Sequence, residues 1–168
     1  MFEMDAEYFI KHLQLQPHPE GGFFKETYRS IGNIPSQSLP ANFGGDRSYS
    51  TAIYFLLQQG EYSAFHKIES DECWHFYEGG TLLIHVIDED GNYSYIRLGR
   101  NIREGEVFQY VVPARCWFAS EPAPGVDFSL VGCTVAPGFD FADFEMANAE
   151  ALSKEYPQHQ SIIYRLCR

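Results

Sequence analysis

The chain has 168 residues, 45% of them hydrophobic, which is enough for one domain with its own core. It carries 12 lysine and arginine residues against 23 aspartate and glutamate residues, a formal net charge of −11. This charge repels a phosphate backbone, so nucleic acid is excluded as an expected partner. Aromatic residues make up 16% of the chain, beside 14 glycines and 9 prolines, which favours short strands and many turns. We expect a single domain over residues 1–168.

The amino-terminal residues lack the basic segment and apolar stretch of a secretory signal. No later run approaches the roughly 18 apolar residues of a membrane span. We therefore expect a cytoplasmic protein with no membrane partner. The four cysteines are widely spaced and form no Cys-x-x-Cys pair, so we expect reduced, mostly buried thiols: Cys73, Cys116, Cys133 and Cys167.

The first predicted element is a short helix. Asp5 is a suitable cap, and Phe9, Ile10 and Leu13 form an apolar stripe behind it. Pro17 prevents continuation of this helix. Residues 30–46 are rich in Ser, Pro, Asn and Gly and are predicted to form a long loop.

From Gly22 the pattern changes to the period of two that is typical of strands. No helical pattern of ten residues separates these runs, which favours an antiparallel barrel or sandwich. A final helix is predicted behind Asn148 and ends before Pro157, and residues 161–166 could add an edge strand. The predicted strands cover residues 23–28, 51–57, 62–68, 72–77, 82–87, 93–98, 106–112, 116–119 and 128–135.

The most informative stretch for chemistry lies between residues 65 and 80. If His66 ends one strand and Glu72 opens the next, Glu72 shares a face with Trp74 and Phe76. Both polar groups could then point into one barrel and form a polar spot in an apolar cavity, which is typical of a small-molecule site. The alternative is that His66 is a core histidine and Glu72 is a solvated carboxylate at the start of a strand.

These residues also carry a resemblance. The pattern from His66 through Glu72 to Gly79, followed by residues 105–114, resembles the two motifs of the cupin superfamily. Residues 17–30, 70–76 and 130–145 are similar to the cupin-5 branch, whose function is unassigned. The resemblance implies an all-β, single-domain cupin jelly-roll β-barrel, here with short N-terminal and C-terminal helices. It further implies an aromatic cavity in the barrel mouth and a homodimer formed by sheet extension.

The same resemblance argues against a metal or other cofactor. Metal-binding cupins are expected to supply two histidines and a glutamate from the first motif and a histidine from the second. Here Ile68 replaces the second histidine, and residues 117–118, Trp-Phe, stand near the third. His66 and Glu72 alone would hold a metal weakly. A weak site that includes His75 would need a bulge, because the offset from Glu72 otherwise turns this residue to the opposite face.

A second likeness concerns catalysis. Residues 22–26 are similar to a segment of the dTDP-4-keto-deoxysugar 3,5-epimerases, which are metal-free cupins, and His66 falls where their catalytic base lies. The likeness implies a base that removes a proton beside a ketone and a tyrosine that returns one. Tyr28 and Tyr110 are candidates for this tyrosine because each lies on a predicted strand. Glu72 would orient the imidazole. Gly21 replaces an expected arginine, so we do not expect a nucleotide sugar.

The sequence therefore predicts a small-molecule cupin that takes a carbohydrate-like or carbonyl-bearing ligand, as an epimerase or isomerase with His66 as base. A non-enzymatic binding or sensor module remains the alternative. His18 is expected to be a loop residue, and His85 a packed strand residue with a backbone partner. The aromatic residues among the predicted ligand-binding residues could stack on a sugar or could simply form core. Lys25, Arg29 and Arg47 are further candidate cations for an anionic group of a ligand. The predicted ligand-binding residues are Phe24, Glu26, Tyr28, Trp74, Phe76, Arg115, Trp117, Phe139 and Asp140.

Overall fold

The computed structural model describes residues 4–168; residues 1–3, part of the segment in which no secretory signal is expected, lie outside this range. The helices are α1 (Ala6–Leu13), α2 (Ala149–Glu155) and α3 (Gln160–Arg165). The strands are β1 (Gln16–Pro17), β2 (Phe23–Arg29), β3 (Asn33–Ile34), β4 (Arg47–Ser48), β5 (Thr51–Gln58), β6 (Ser63–Lys67), β7 (Asp71–Gly79), β8 (Leu82–Ile87), β9 (Tyr93–Leu98), β10 (Gln109–Val112), β11 (Trp117–Pro122), β12 (Phe128–Ala136) and β13 (Glu145–Met146).

Two antiparallel sheets form the body of the molecule. A six-stranded sheet has the order β1-β2-β5-β12-β7-β10, and a five-stranded sheet has the order β13-β6-β11-β8-β9. The predicted strands all recur, with shifts of a few residues at their ends. The β-rich fold class and the short helices near both ends of the chain are thereby confirmed.

The main hydrophobic core lies where the two sheets face each other. Phe55 and Trp74 contribute from the six-stranded sheet, and Ile84 and Phe118 contribute from the five-stranded sheet. The Trp74 ring packs edge-on against Phe55 and Phe118, with centroids 6.0 and 6.2 Å apart. Inward-facing residues alternate with outward-facing ones along each strand, so the predicted period of two is the cause of this core.

The helices cover the outer faces of the sheets. Asp5 caps α1 by accepting a hydrogen bond from the Tyr8 N–H, as predicted, and the helix packs near Leu130 of β12. Asn148 caps α2 in the same way, through the Ala151 N–H. Helices α2 and α3 lie on the five-stranded sheet, with Ile163 completely buried.

Two predicted elements differ from the structure. Residues 161–166 were expected as an edge strand but belong largely to α3, because Ile162, Ile163 and Leu166 share one side of a helical turn that packs on the sheet. The predicted loop over residues 30–46 contains β3, which pairs with β4, and a 3₁₀ turn at Ser36–Ser38. Within residues 4–168, no helix has the length and apolar character needed to cross a membrane.

Candidate functional site

A cavity of about 250 Å³ opens between the two sheets. Its walls come from the inner faces of β2, β5, β7 and β12, from β6, from the β1–β2 connection and from the segment between β12 and β13. Aromatic and aliphatic side chains surround a small group of acidic and imidazole groups. The lining residues are His18, Glu20, Phe24, Glu26, Arg29, Thr51, Ile53, His66, Ile68, Glu72, Cys133, Val135, Phe139, Asp140, Phe141 and Phe144.

A tight turn brings Glu20 into this cavity. Gly21 and Gly22 follow it with φ angles of +115° and +71°, which glycine adopts at no steric cost. A Cβ atom on Gly21 would lie 2.1 Å from the Tyr62 carbonyl oxygen, so no larger residue fits here. The Ala64 N–H donates a hydrogen bond to the Glu20 carbonyl oxygen at 2.9 Å. The turn is thereby tied to β6, two residues from His66.

Glu20 and His66 form a buried pair. The His66 Nδ1–H donates to the Ala64 carbonyl oxygen at 2.7 Å, because a carbonyl only accepts. The other ring nitrogen, Nε2, lies 3.1 Å from Glu20 Oε2. Burial lowers the pKa of His66 and raises the pKa of Glu20. Both shifts favour the uncharged forms, in which the imidazole Nε2 accepts a hydrogen bond from the protonated carboxyl group.

Glu72 is a second buried carboxyl group, at the start of β7, with a side chain that lines the same cavity. Burial raises its pKa to about 7, although His66 acts in the opposite direction and Cys133 donates a hydrogen bond that also favours the carboxylate. Glu20 lies close enough to raise this pKa further. Glu72 consequently gains or loses a proton near neutral pH, as a general acid or base requires.

His18 is the second imidazole of the cavity. Its Nδ1 accepts a hydrogen bond from the Glu20 N–H at 3.2 Å, and its ring packs edge-on against Phe24 with centroids 4.5 Å apart. Burial lowers the pKa of His18, although Glu20 opposes this effect. His18 is therefore a loop residue, as expected, but it is buried and helps to hold Glu20 in place.

An ion pair lies on the β2 side of the cavity. The Arg29 guanidinium donates to both carboxylate oxygens of Glu26, with distances of 3.0 and 2.8 Å, and to the Ser48 hydroxyl at 3.3 Å. Asp140 accepts a hydrogen bond from the Ala142 N–H at the start of a 3₁₀ turn. The charge of Arg29 is thus largely balanced by Glu26.

The structure brings six of the predicted site residues together around this cavity: Phe24, Glu26, His66, Glu72, Phe139 and Asp140. Glu72 shares its face of β7 with Trp74 and Phe76, as predicted. The orientation of the imidazole differs from the prediction, because Ala64 and Glu20 hold His66. Within residues 4–168, no ion pair joins Glu72 to this histidine.

The other five predicted ligand-binding residues lie away from the cavity. Trp74 belongs to the core and is 1% exposed, and Phe76 packs beside the same core. Trp117 faces outward beneath α2 and α3, with the Lys67 ammonium 4.5 Å from its ring centroid. Arg115 pairs with an exposed glutamate, and Tyr28 is 55% exposed on β2. For Trp74 and Phe76 the sequence predicted the inward face of the strand but not the position along the cavity, whereas for Trp117 it predicted the wrong face.

Two further histidines are anchored elsewhere. His75 points to the outer face of β7, where its ring nitrogens pair with the Thr134 hydroxyl and the Gln109 amide. The register of β7 and β12 is regular between Glu72 and His75, so the bulge that a weak metal site needed is not formed. His85 bonds to side chains, Tyr93 and Glu121, rather than to the backbone partner that was expected.

Sequence reasoning missed four residues that define the cavity: His18, Glu20, Phe141 and Phe144. The aromatic pair lies beyond the last long strand, in a segment without strand periodicity, so its return to the cavity has no local signal. The glutamate does have one. Two consecutive glycines directly after Glu20 indicate a forced turn, which presents the preceding side chain to whatever the turn covers.

Comparison with known proteins identifies the fold family. Residues 7–147 match the model of a family described as Cupin superfamily (DUF985). The chain belongs to the cupin superfamily. The likeness to its cupin-5 branch that was drawn from residues 17–30, 70–76 and 130–145 is thereby confirmed.

Three relatives of this cupin illustrate the match. The crystal structure of protein SO0799 from Shewanella oneidensis is 41% identical, with a TM-score of 0.88 and 99% of each chain covered. A hypothetical protein from Leishmania major is 38% identical, with a TM-score of 0.86, and the match covers 97% of this chain and 98% of that one. The uncharacterized protein YML079W of Saccharomyces cerevisiae is 34% identical over 84% of this chain and 74% of its own length.

The residues of this cupin do not fit the ligand set that is expected of metal-binding cupins. Ile68 lines the cavity where a second histidine would be needed, and Phe118 stands directly opposite His66 in the β6–β11 register, with ring centroids 4.1 Å apart. The Nε2 atom of His66, which would bind the metal, is already paired with the Glu20 carboxyl group. Across the described residues, 4–168, no three His, Cys, Asp or Glu side chains are spaced to hold a metal ion.

Proposed function

We propose that this cupin binds a small carbonyl-bearing, carbohydrate-like molecule in the cavity and catalyses its isomerisation or epimerisation by proton transfer. One observation carries the proposal. A buried imidazole and two buried carboxyl groups, His66, Glu20 and Glu72, share one cavity with aromatic walls. A carboxyl group whose pKa is raised to about 7, as that of Glu72 is, suits proton abstraction beside a carbonyl near neutral pH.

The size of the cavity supports a ligand as small as a monosaccharide. Its volume of about 250 Å³ lies below the roughly 300–1,000 Å³ of pockets for drug-sized ligands. The apolar rings of Phe24 and Phe139 suit the C–H faces of a sugar ring, and the carboxyl groups suit its hydroxyl donors.

The residues divide the chemistry between them. The Glu72 carboxylate takes the proton from the carbon beside the carbonyl group, and the C–H electron pair forms the double bond of an enediol. The Glu20–His66 pair supplies its shared proton to the carbonyl oxygen. Glu72 then delivers its proton to the former carbonyl carbon, and the Glu20–His66 pair takes the proton of the other enediol hydroxyl group, which forms the new carbonyl group. His66 thus acts with Glu20 instead of as a free base, and the role of base passes to Glu72. Tyr28 and Tyr110, the tyrosines considered as the returning acid, do not line the cavity.

Solvent deuterium exchange tests this proposal. The protein is incubated in D₂O with aldoses and ketoses of five and six carbons, and loss of the α-proton signal is followed by NMR. Glu72→Gln and His66→Gln should each reduce the exchange rate by about 10²–10⁴. Affinity for the same sugar should change little.

Matched controls come from the same chain. His75→Gln alters a histidine on the outer face of β7, and Glu104→Gln alters an exposed glutamate of a 3₁₀ turn. Both should exchange at the wild-type rate. If a sugar binds but no exchange above the buffer rate occurs, catalysis is refuted and a non-enzymatic binding module is the remaining function.

A further inference from the structure

The ionisable groups of the cavity carry an excess of negative charge. Among the described lining residues, Arg29 is the one arginine or lysine, and both oxygens of Glu26 engage it. The two imidazoles do not add positive charge near neutral pH, since burial lowers the pKa of His18 and of His66. Asp140 interacts with Arg29 and Arg47, and Arg168 interacts with Glu20. Glu72 is therefore the described lining carboxyl group on which no cationic side chain acts.

Glu72 is the buried carboxyl group of the cavity that lacks a cationic partner. Its residue is only 8% exposed, and the part that remains accessible lines the cavity. Within residues 4–168 it forms no ion pair, and its neighbours are the Cys133 thiol, His66 and Glu20. A buried carboxylate without a cationic partner is costly, so a ligand that supplies a positive charge gains more there than in water.

Three phenylalanines also line this space, and the ring of Phe144 stacks on that of His66 with centroids 5.2 Å apart. Phe139 and Phe141 lie with centroids 5.0 Å apart, and Phe144 lies 5.9 Å from Phe141 and 6.3 Å from Phe139. The faces of aromatic rings attract ammonium groups, and rings combined with a carboxylate are a recurrent arrangement for amine recognition. Asp140, between two of these rings in the sequence, adds a further negative charge to the same side.

We infer that the ligand is an amine-bearing sugar, whose ammonium group pairs with Glu72 and faces the rings of Phe139, Phe141 and Phe144. The inference rests on the proposed function, because it names the substrate class of the same cavity. Ligands with a carboxylate or phosphate group are excluded by repulsion from the same acidic residues.

This pairing predicts a dependence of affinity on pH. The groups that face Glu72 are His66 from β6, Glu20 from the β1–β2 connection and Cys133 from β12, and their combined effect leaves its pKa at about 7. An ammonium ligand binds the ionised carboxylate, so below pH 7 it must first displace a proton. Once the affinity is corrected for the fraction of ligand that carries the ammonium charge at each pH, it should fall about tenfold from pH 8 to pH 6. A neutral sugar should show no such loss.

Calorimetric titration with three probes tests the inference. D-Glucosamine, D-glucose and D-glucuronate share one ring and differ in charge. We expect D-glucosamine to bind at least about tenfold more tightly than D-glucose, with D-glucuronate weakest. Titrations of wild-type protein at pH 7 in buffers of different ionisation enthalpy should reveal proton release with D-glucosamine alone. The Glu72→Gln variant should lose the preference, and Glu104→Gln should retain it.

The outcomes separate this inference from the proposed function. Equal affinity for D-glucosamine and D-glucose, or tighter binding of D-glucuronate, overturns the amine assignment and leaves proton transfer on a neutral or acidic sugar standing. Retention of the preference in Glu72→Gln also overturns it, because the selectivity then comes from other residues. Failure of all three probes to bind contradicts both proposals.

Discussion

Individual side chains in this cupin are tuned by burial more than by ion pairing. The ordinary pKa of a glutamate side chain is 4.5, yet burial raises the pKa of Glu72 to about 7 while His66 acts against the change. Removing a carboxylate from water costs more than a neighbouring neutral imidazole returns. Ionisation of Glu72 therefore lowers the stability of the folded state.

The cost of ionising Glu72 in the folded state predicts how the stability of the protein depends on pH. Because the folded-state pKa of Glu72 exceeds its unfolded value, its contribution to stability is complete below about pH 4.5 and is lost as pH rises through about 7. The loss corresponds to about 3 kcal/mol at most. Glu72→Gln cannot ionise, so its stability relative to wild type should increase from pH 5 to pH 8. Urea unfolding at both pH values measures this difference.

Glu104→Gln serves as the control for that measurement, because its carboxylate is exposed. The difference in unfolding free energy between this variant and wild type should be the same at pH 5 and pH 8. An equally constant difference for Glu72→Gln would show that the Glu72 carboxyl group ionises at its ordinary pKa in the folded state.

At the scale of secondary-structure elements, one polar network fastens the carboxy-terminal helix to the sheet. The Nδ1 atom of His85, on β8, accepts a hydrogen bond from the Tyr93 hydroxyl of β9 at 2.8 Å. Its Nε2–H donates a hydrogen bond to Glu121 of β11 at 3.0 Å. Arg165 of α3 donates to both oxygens of the same glutamate, at 2.6 and 2.7 Å. The network thus joins α3 to three strands of the five-stranded sheet.

Removing the arginine tests the role of this network. Arg165→Met should destabilise the fold by about 1 kcal/mol, because the arginine side chain is half exposed and its ion pair is partly screened. Burial lowers the pKa of His85, Glu121 opposes this, and Arg165 lowers it further. The variant should therefore raise the His85 pKa, which NMR titration measures alongside thermal unfolding. Arg103→Met, at an exposed turn, should alter neither quantity; an unchanged His85 titration in Arg165→Met would contradict the proposed coupling.

The elements of this fold were predictable for different physical reasons. The strands followed from side-chain alternation, and α1 and α2 followed from Asp5 and Asn148 as caps. The sequence pattern does not distinguish helix from strand over Ser161 to Leu166, because so short a run fits both the helical period and the strand period. Only contact with the sheet selects the helix. The cavity was half predicted: local alternation placed His66 and Glu72, whereas Glu20 reaches them through a turn bonded to a distant strand.

For the whole molecule, the substitutions in the metal-binding positions lead to a direct expectation. Ile68 and Phe118 provide no ligand atoms, and Glu20 occupies the free nitrogen of His66. Protein purified without a histidine tag should contain well under one equivalent of iron, manganese, nickel or zinc. A chelator should leave its melting temperature nearly unchanged. Elemental analysis with calorimetry in EDTA measures both.

The relevant control for that experiment is the wild-type protein dialysed against each metal at micromolar concentration. A stoichiometric metal that survives dialysis and raises the melting temperature would overturn the expectation. His66→Gln and Glu72→Gln would then identify whether the cavity holds it, because loss of a ligand should abolish retention.

The strand order also has a consequence for synthesis on the ribosome. Strand β12 lies between β5 and β7, and β11 lies between β6 and β8, so the middle of each sheet is supplied by the last third of the chain. A nascent chain that ends before residue 117 has neither middle strand and exposes the unpaired edges of all their neighbours. At about 5–20 residues per second, that interval lasts for seconds. Both sheets of this cupin domain can consequently be completed only after β12 has been synthesised, and a chain that ends before residue 117 exposes strand edges through which it can aggregate.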